Sequence, residues 1–130
     1  MLAQSDYLAI CAMLTAETEG MMNSRAFTAL KKGAVLVNVA RGEIVDEEAM
    51  LASLNSGRLR AAYLDVYAGE LSGREPPPEL QHHPNVVMTP HTSGRADERG
   101  AVGFDLFLEN LQRFLVSEPM KNVVDWERGY

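Results

Sequence analysis

Apolar runs that each stop at a polar residue recur along the chain, and they predict its strands. The first run, residues 7–14, shows no alternation of apolar and polar positions, which is typical of a strand buried on both faces of a sheet. Three further runs end in the same way. We therefore predict four strands, at residues 7–14, 34–40, 61–66 and 86–89.

Helical signals lie between these runs. Asn23 or Ser24 could cap a short helix, which lysines and a glycine at residues 31–33 would stop. Asp46 is placed as the N-cap of a second helix, and Gly57 would end it. These positions predict one helix before the second strand and another before the third.

The stretch after the third strand has a different character. The prolines at residues 76–78 predict a loop without regular structure over residues 67–85. Apolar residues then recur at helical spacing and predict a long amphipathic helix over about residues 97–117, followed by a tail over 118–130. The alternation of strands and helices predicts an α/β fold, a partial Rossmann-type parallel sheet of about four strands with helices on its faces.

Composition narrows the classes of function. The chain has 130 residues, of which 46% are hydrophobic, so it can bury a core. Its net charge of −6 argues against a nucleic-acid or anionic-membrane partner. Cys11 is the lone cysteine, which rules out an internal disulfide and favours the cytoplasm. No apolar run reaches the roughly 20 residues that span a bilayer, and the N-terminus lacks the shape of a signal peptide.

Three chemically useful side chains lie at the ends of successive predicted strands. Arg41 and His91 follow the second and fourth strands, and Asp65 lies near the end of the third. The carboxyl ends of parallel strands line the ligand crevice of an open α/β sheet. We therefore expect these three side chains at one rim. The residues themselves leave simpler roles open: a salt bridge for Arg41, a backbone contact for Asp65 and a turn for His91.

The glycine fingerprint of dinucleotide-binding folds is absent from the sequence. No G-x-G-x-x-G pattern can be built from its ten glycines, so no helix N-terminus is marked out to hold a pyrophosphate. We also predict no metal site. A nucleotide could contact this chain, but half of its binding site would lie elsewhere.

Several motifs in order resemble the D-isomer-specific 2-hydroxyacid dehydrogenases. They are Leu-Thr-Ala-Glu-Thr at 14–18, Asn-Val-Ala-Arg-Gly-Glu-Ile-Val-Asp at 38–46, Ser-Gly-Arg at 56–58, Leu-Asp-Val-Tyr at 64–67 and Asn-Val-Val-Met-Thr-Pro-His at 85–91. The resemblance covers the second half of that family's NAD-binding domain and the closing helix. It implies that residues 1–130 form a single partial NAD(P)-binding domain.

The resemblance implies hydride transfer between NAD(P)H and a 2-keto acid or D-2-hydroxy acid, with a catalytic set of Arg41, Glu70 and His91. Arg41 matches the arginine that holds the substrate carboxylate, which its planar fork suits. His91 matches the general acid/base, and Glu70 matches the acid paired with it. Because Glu70 is followed by leucine where the family has proline, Glu75 is a rival, although the spacing favours Glu70. A solvated loop acid is the simpler role for Glu70.

The resemblance also implies the residues that would contact NAD or NADP. They are Thr15, Ala40, Arg41, Asp65, His91 and Gly94. Asp65 matches the acceptor for the nicotinamide carboxamide, and Gly94 lets the backbone pass close to the ring. Cys11 and Met13 stand where the family often has histidine and proline. His82 and His83 match nothing and are expected to be solvated.

Two functions follow as hypotheses. The first is an NAD(P)-dependent D-2-hydroxyacid dehydrogenase that acts on a small 2-keto or 2-hydroxy acid and has little or no turnover as this chain alone. The second is a non-catalytic remnant, or a fragment that self-associates or complements another chain. An unpaired edge on the first strand, residues 7–14, would recruit a second copy or a missing N-terminal half.

Overall fold

The computed structural model describes residues 1–94 and 99–127. It divides into two compact units, Met1–Ser93 and Gly94–Tyr130. The strands among the described residues are β1 Tyr7–Ile10, β2 Ala34–Asn38, β3 Leu59–Leu64 and β4 Val86–Met88. The helices are α1 Ser24–Ala29, α2 Glu47–Asn55, α3 Pro78–Gln81 and α4 Arg99–Leu115. Short 3-10 turns occupy Leu2–Gln4, Gly42–Ile44 and Glu70–Ser72.

The four strands form one parallel sheet in the order β1-β2-β3-β4. The predicted α/β fold with a partial Rossmann-type parallel sheet is confirmed. Its register aligns Ile10, Asn38, Leu64 and Met88 in one row across the sheet. The strands therefore end together, and the segments that follow them start from one edge.

One face of the sheet packs against α1 and α2. The largest fully buried side chains are Phe27, Leu36, Ile44, Met50, Leu59 and Leu80. The other face carries Tyr7, Tyr63 and Val87, which are 68%, 48% and 48% exposed. The prediction that the first strand is buried on both faces is wrong, because Tyr7 and Ala9 are exposed.

The predicted first strand is also too long. Pairing with β2 stops at Ile10, and residues 11–15 have no regular structure. Thr18 donates its hydroxyl to Met13 O at 2.6 Å and accepts a hydrogen bond from Thr15 N at 2.8 Å. These bonds turn the apolar stretch away from the sheet, and Met13 is 56% exposed.

The second and third strands also differ from their predicted limits. β2 ends at Asn38 rather than at residue 40, because the Asn38 side chain forms hydrogen bonds with the backbone of Ala40 and Arg41 and turns the chain there. β3 spans residues 59–64 rather than 61–66, since a bulge beside Ala34 and Val35 lets it begin earlier.

The predicted unstructured loop contains a short helix. α3 begins at Pro78, and a proline at the first helical position costs nothing because its missing N–H would have no helical partner. The prediction of no regular structure over residues 67–85 is therefore wrong at residues 70–72 and 78–81.

The helices that the caps predict are present. The side chain of Asn23 accepts hydrogen bonds from Arg25 N and Ala26 N at the start of α1. Asp46 accepts one from Ala49 N at 3.0 Å at the start of α2. Of the two candidate caps for α1, Asn23 is the N-cap and Ser24 is the first helical residue, and the predicted N-cap Asp46 of α2 is confirmed.

The second unit contains α4 and the segment that follows it. The helix ends at Leu115, two residues before the predicted end, while the predicted start at residue 97 lies outside the described residues. Asn110 and Lys121 exchange two hydrogen bonds of 3.0 and 2.8 Å, so the segment after the helix folds back on it. The last three residues of the predicted tail also lie outside the described residues. The single partial domain over 1–130 stays a prediction.

Candidate active site

The segment after β2 is held by a buried asparagine. Asn38 is 1% exposed, and its side chain donates to Arg41 O at 2.9 Å and accepts from Ala40 N at 3.1 Å. This turn brings Arg41 to the sheet edge, half-buried, with Nη1 donating to Ala40 O at 2.7 Å. Arg41 forms no ion pair with another described residue, so no carboxylate in that part of the chain occupies its fork. The simpler salt-bridge role is not observed there.

Asp65 follows β3 and is 4% exposed. Its Oδ1 accepts hydrogen bonds from the Thr89 hydroxyl and from Thr92 N, and its Oδ2 accepts one of 2.8 Å from Ser93 N. Burial raises the pKa of Asp65, but the hydrogen bonds from Ser93, Thr89 and Thr92 outweigh it and hold the pKa well below its usual value. The carboxylate therefore stays ionised and fixes the turn after β4.

That turn presents His91. The His91 backbone lies in the left-handed region, with φ 50°, which is uncommon for a residue with a side chain. Its N–H donates to Asp65 O and to Thr89 O, both at 3.0 Å. Asp65 thus supports His91 in two ways. Its backbone carbonyl binds the His91 N–H, and its carboxylate holds the residues on either side of His91.

The His91 ring meets a carboxylate from the loop after β3. His91 Nδ1 lies 2.8 Å from Oε1 of Glu70, whose side chain is only 11% exposed. The ring N–H is not aligned with that oxygen, which has no hydrogen-bond partner among the described residues. Catalytic hydrogen bonds are often misaligned before substrate binds. Glu75, the rival acid, is exposed and has no ion pair among the described residues.

The structure brings some of the predicted residues together and leaves others apart. Asp65, Glu70 and His91 form one connected group. Thr15 contacts Thr18, with 3.2 Å between their hydroxyl oxygens, and Ala40 lies in the Asn38 turn. Gly94 belongs to the second unit. The site roles predicted for all of them stay predictions.

An open pocket lies beside Asp65 on the face of the sheet opposite α1 and α2. Apolar side chains and the polar turn after β4 line it: Val37, Val39, Tyr63, Leu64, Val87, Thr89, Thr92 and Ser93. The described residues hold no group of three or more histidine, cysteine or acidic side chains placed to bind a metal.

Sequence reasoning missed the residues that support this site. Asn38 lies inside the predicted second strand, residues 34–40, and the pattern predicts no role for it, although a polar residue within an apolar run is a usable signal. Glu47 lies in the first turn of α2, and its side chain accepts a hydrogen bond from Ala68 N, 21 positions away. No local pattern indicates such a contact.

Within the part of the chain that the structure describes, no helix is long and apolar enough to cross a membrane.

Comparison with known proteins places these features in a family. Residues 1–93 match the family model for the NAD-binding domain of D-isomer specific 2-hydroxyacid dehydrogenases. The chain is 40% identical over 116 residues to glyoxylate/hydroxypyruvate reductase A of Salmonella newport, a match that covers 89% of this chain. It spans only 36% of the length of that relative.

Solved structures show the same similarity. A D-isomer specific 2-hydroxyacid dehydrogenase of Xanthobacter autotrophicus Py2, in complex with NADPH and MES, is 40% identical with a TM-score of 0.86. That match covers 99% of this chain and 52% of the other. An NADPH-dependent glyoxylate/hydroxypyruvate reductase of Sinorhizobium meliloti, in complex with NADP and sulfate, is 34% identical with a TM-score of 0.83, over 99% of this chain and 41% of the other.

Proposed function

The chain belongs to the D-isomer specific 2-hydroxyacid dehydrogenase family, and we propose that it supplies the catalytic side of a cleft in which a small 2-keto acid is reduced. The observation that carries this proposal is the 2.8 Å contact between His91 Nδ1 and Glu70 Oε1 at the edge where the strands end. An imidazole beside a buried carboxylate is a suitable proton donor to a ketone oxygen.

Each residue has a distinct task in this proposal. Arg41, which forms no ion pair with another described residue, binds the substrate carboxylate through its guanidinium group. His91 donates a proton to the keto oxygen as hydride reaches the carbon, and in the reverse direction it accepts that proton. Glu70 stabilises the charged imidazolium, and Asp65 holds the turn that aims His91.

NAD(P)H supplies the hydride when it is bound. In this proposal the pocket beside Asp65 binds the nicotinamide end of the cofactor. Apolar side chains of the sheet and polar residues of the turn after β4 line that pocket, and they suit a flat ring that carries an amide. The chain has no glycine fingerprint for the pyrophosphate. Residues outside this chain would therefore hold that end of the cofactor, and this chain alone would show little or no turnover.

A chimera tests the proposal. Residues 1–93 would replace the matching segment of the Salmonella reductase, and oxidation of NADPH would be followed with glyoxylate and with hydroxypyruvate. We expect turnover, and a loss of about 10²- to 10⁴-fold in kcat with His91→Ala. Arg41→Ala should mainly raise KM for the acid. A folded chimera whose turnover is unchanged by His91→Ala would contradict the proposal.

A titration of the purified chain with NADH separates the cofactor question from turnover. We expect no saturation below millimolar concentrations, because the pyrophosphate end is unsupported. Saturable micromolar binding would show that the chain, alone or self-associated, completes the cofactor site. Turnover of glyoxylate or hydroxypyruvate by the chain alone would contradict the expected dependence on further residues.

The edge strand supports a second candidate, a self-associating fragment. β1 lies at the end of the sheet order and pairs only with β2 among the described strands. An open edge is a template for another strand. The proposed contact is with a second copy through residues 7–10. Light scattering of the chain at micromolar concentration tests it, and a monomer would count against it.

A further inference from the structure

Two carboxylates outside the predicted catalytic set hold the loop that carries Glu70. Glu47 Oε1 accepts a hydrogen bond from Ala68 N, and Glu43 Oε1 accepts one from Gly69 N, both at 2.9 Å. These amides immediately precede Glu70. The two acids therefore fix the backbone from which the Glu70 side chain starts.

An arginine closes the same arrangement from within the loop. Arg74 Nη1 donates to Ala68 O at 3.1 Å and lies 3.3 Å from Oε2 of Glu47. The Glu47 side chain is only 12% exposed, so solvent screens its contacts less than those of a surface pair. Glu47 thus binds the loop at two points, a backbone amide and a cation.

The backbone makes this approach possible at two glycines. A Cβ on Gly42 would lie 1.9 Å from the Tyr67 carbonyl carbon, so only glycine lets the segment after Arg41 pass against the loop. Gly69 has φ 80°, the left-handed region that glycine favours. Close contact at Gly42 and the bonds of Glu43 and Glu47 join the Arg41 segment and the Glu70 loop into one unit.

We propose that Glu43 and Glu47 are positioning residues, which act through the backbone of residues 68–69 to set Glu70 against His91. This inference rests on the proposed function, in which Glu70 and His91 are the working pair. Neither acid contacts His91 in the structure. Their effect on the pair is indirect, through the loop that they hold.

Hydrogen exchange and NMR of the His91 ring nitrogens in the purified chain test this proposal without cofactor or substrate. The principal variant combines Glu43→Ala with Glu47→Ala. We expect the amides of residues 68 and 69 to exchange at least about tenfold faster, since their acceptors are gone. We also expect the His91 ring resonances to move toward those of Glu70→Gln, which removes the partner charge directly.

Two single variants make the result specific. Glu48→Ala is the matched control, because Glu48 is exposed in the same helical turn and its side chain has no hydrogen bond or ion pair among the described residues. It should leave exchange and ring resonances unchanged. Glu47→Gln keeps an acceptor for Ala68 N and should restore much of the protection at that amide. If the double variant fails to fold, Glu43→Ala alone replaces it, because it frees only Gly69 N and should speed exchange at that amide.

Three results would overturn the proposal. Fast exchange at residues 68 and 69 with unchanged His91 resonances would show that the loop does not set the pair. Unchanged exchange in the double variant would show that the two acids do not hold the loop. Unchanged His91 ring resonances in Glu70→Gln would instead show that Glu70 does not act on His91. The proposed catalytic pair would then be wrong, and the positioning roles of Glu43 and Glu47 with it.

Discussion

The turn that carries His91 and the loop that carries Glu70 are built around carboxylates of opposite character. Asp65 has both oxygens engaged by donors from the turn, and those bonds lower its pKa. Glu70, five residues later, has a buried oxygen with no aligned donor among the described residues. The first carboxylate is committed to the fold, and the second lies 2.8 Å from His91 Nδ1, the contact on which its proposed role rests.

This difference separates stability from chemistry along a short stretch of chain. A carboxylate that accepts several hydrogen bonds stabilises the folded state strongly, because each donor would otherwise lose its partner. A carboxylate with an oxygen that accepts no hydrogen bond adds little to the stability of the folded state or even lowers it. It can nevertheless stabilise a positive charge that forms during a reaction. Substitutions at the two acids should therefore separate the two properties.

Asp65→Asn should lower the free energy of unfolding by about 3 kcal/mol. The new amide group would point a donor at N–H or O–H groups that are themselves donors. Urea denaturation followed by circular dichroism measures the change. Asp46→Asn is the matched control, because asparagine caps helices about as well as aspartate and should change stability by only a few tenths of a kcal/mol. Equal losses of unfolding free energy in the two variants would show that the hydrogen bonds of Asp65 contribute no more to stability than an ordinary helix cap.

Lowering the pH should narrow the stability difference between the wild-type chain and Asp65→Asn. The folded-state pKa of Asp65 lies below its ordinary value of 3.8. Its stabilisation is therefore fully present above about pH 4 and is lost as the pH falls below that value. Urea denaturation at a series of pH values between about 7 and 3 measures the difference. A difference that grows on acidification would contradict the direction of this shift.

Thr89→Val should lower the free energy of unfolding by about 1 kcal/mol, because it removes one donor to Asp65 and leaves the two N–H donors in place. Valine has nearly the same shape as threonine, so packing changes little. Thr28→Val, which removes a hydroxyl bonded only to Ser24 O within α1, is the control. Its effect should stay within about 0.5 kcal/mol. A loss of stability in Thr28→Val as large as that in Thr89→Val would show that the change from threonine to valine, and not the bond to Asp65, causes the effect.

Glu70→Gln should leave the free energy of unfolding within about 0.5 kcal/mol of the wild-type value. Loss of the attraction to His91 is offset because a neutral amide is buried more cheaply than a carboxylate with an unpaired oxygen. The same substitution in the chimera should lower kcat. A loss of stability as large as that in Asp65→Asn would show that both acids serve the fold.

The parts of this structure that follow from local patterns were predictable. The apolar runs mark the four strands, and the polar residues that end them place Asp65 and His91 at one edge. The caps Asn23 and Asp46 mark the helices, since a cap bonds amides only two or three residues away. The family resemblance adds Glu70 by its spacing from Asp65, and the structure places that acid against His91.

Other features depend on contacts that no local pattern encodes. Residues 11–14 are as apolar as a strand, but Ile10 is the last residue of β1 to pair with β2. The bonds from Glu43 and Glu47 to residues 68–69 join positions more than 20 residues apart. Composition and periodicity carry no information on which carboxylate reaches which amide. The structure is needed to find the groups that support the site.

The sheet order has a consequence for how the chain folds. Because the order β1-β2-β3-β4 is also the order of the strands along the chain, each strand after the first pairs with the one synthesised just before it. The first paired positions, such as Tyr7 with Val35 and Ala62 with Val86, close loops of similar, modest length. Loops of this size close at nearly equal entropic cost. The sheet can therefore grow one strand at a time on the ribosome, without waiting for a distant segment.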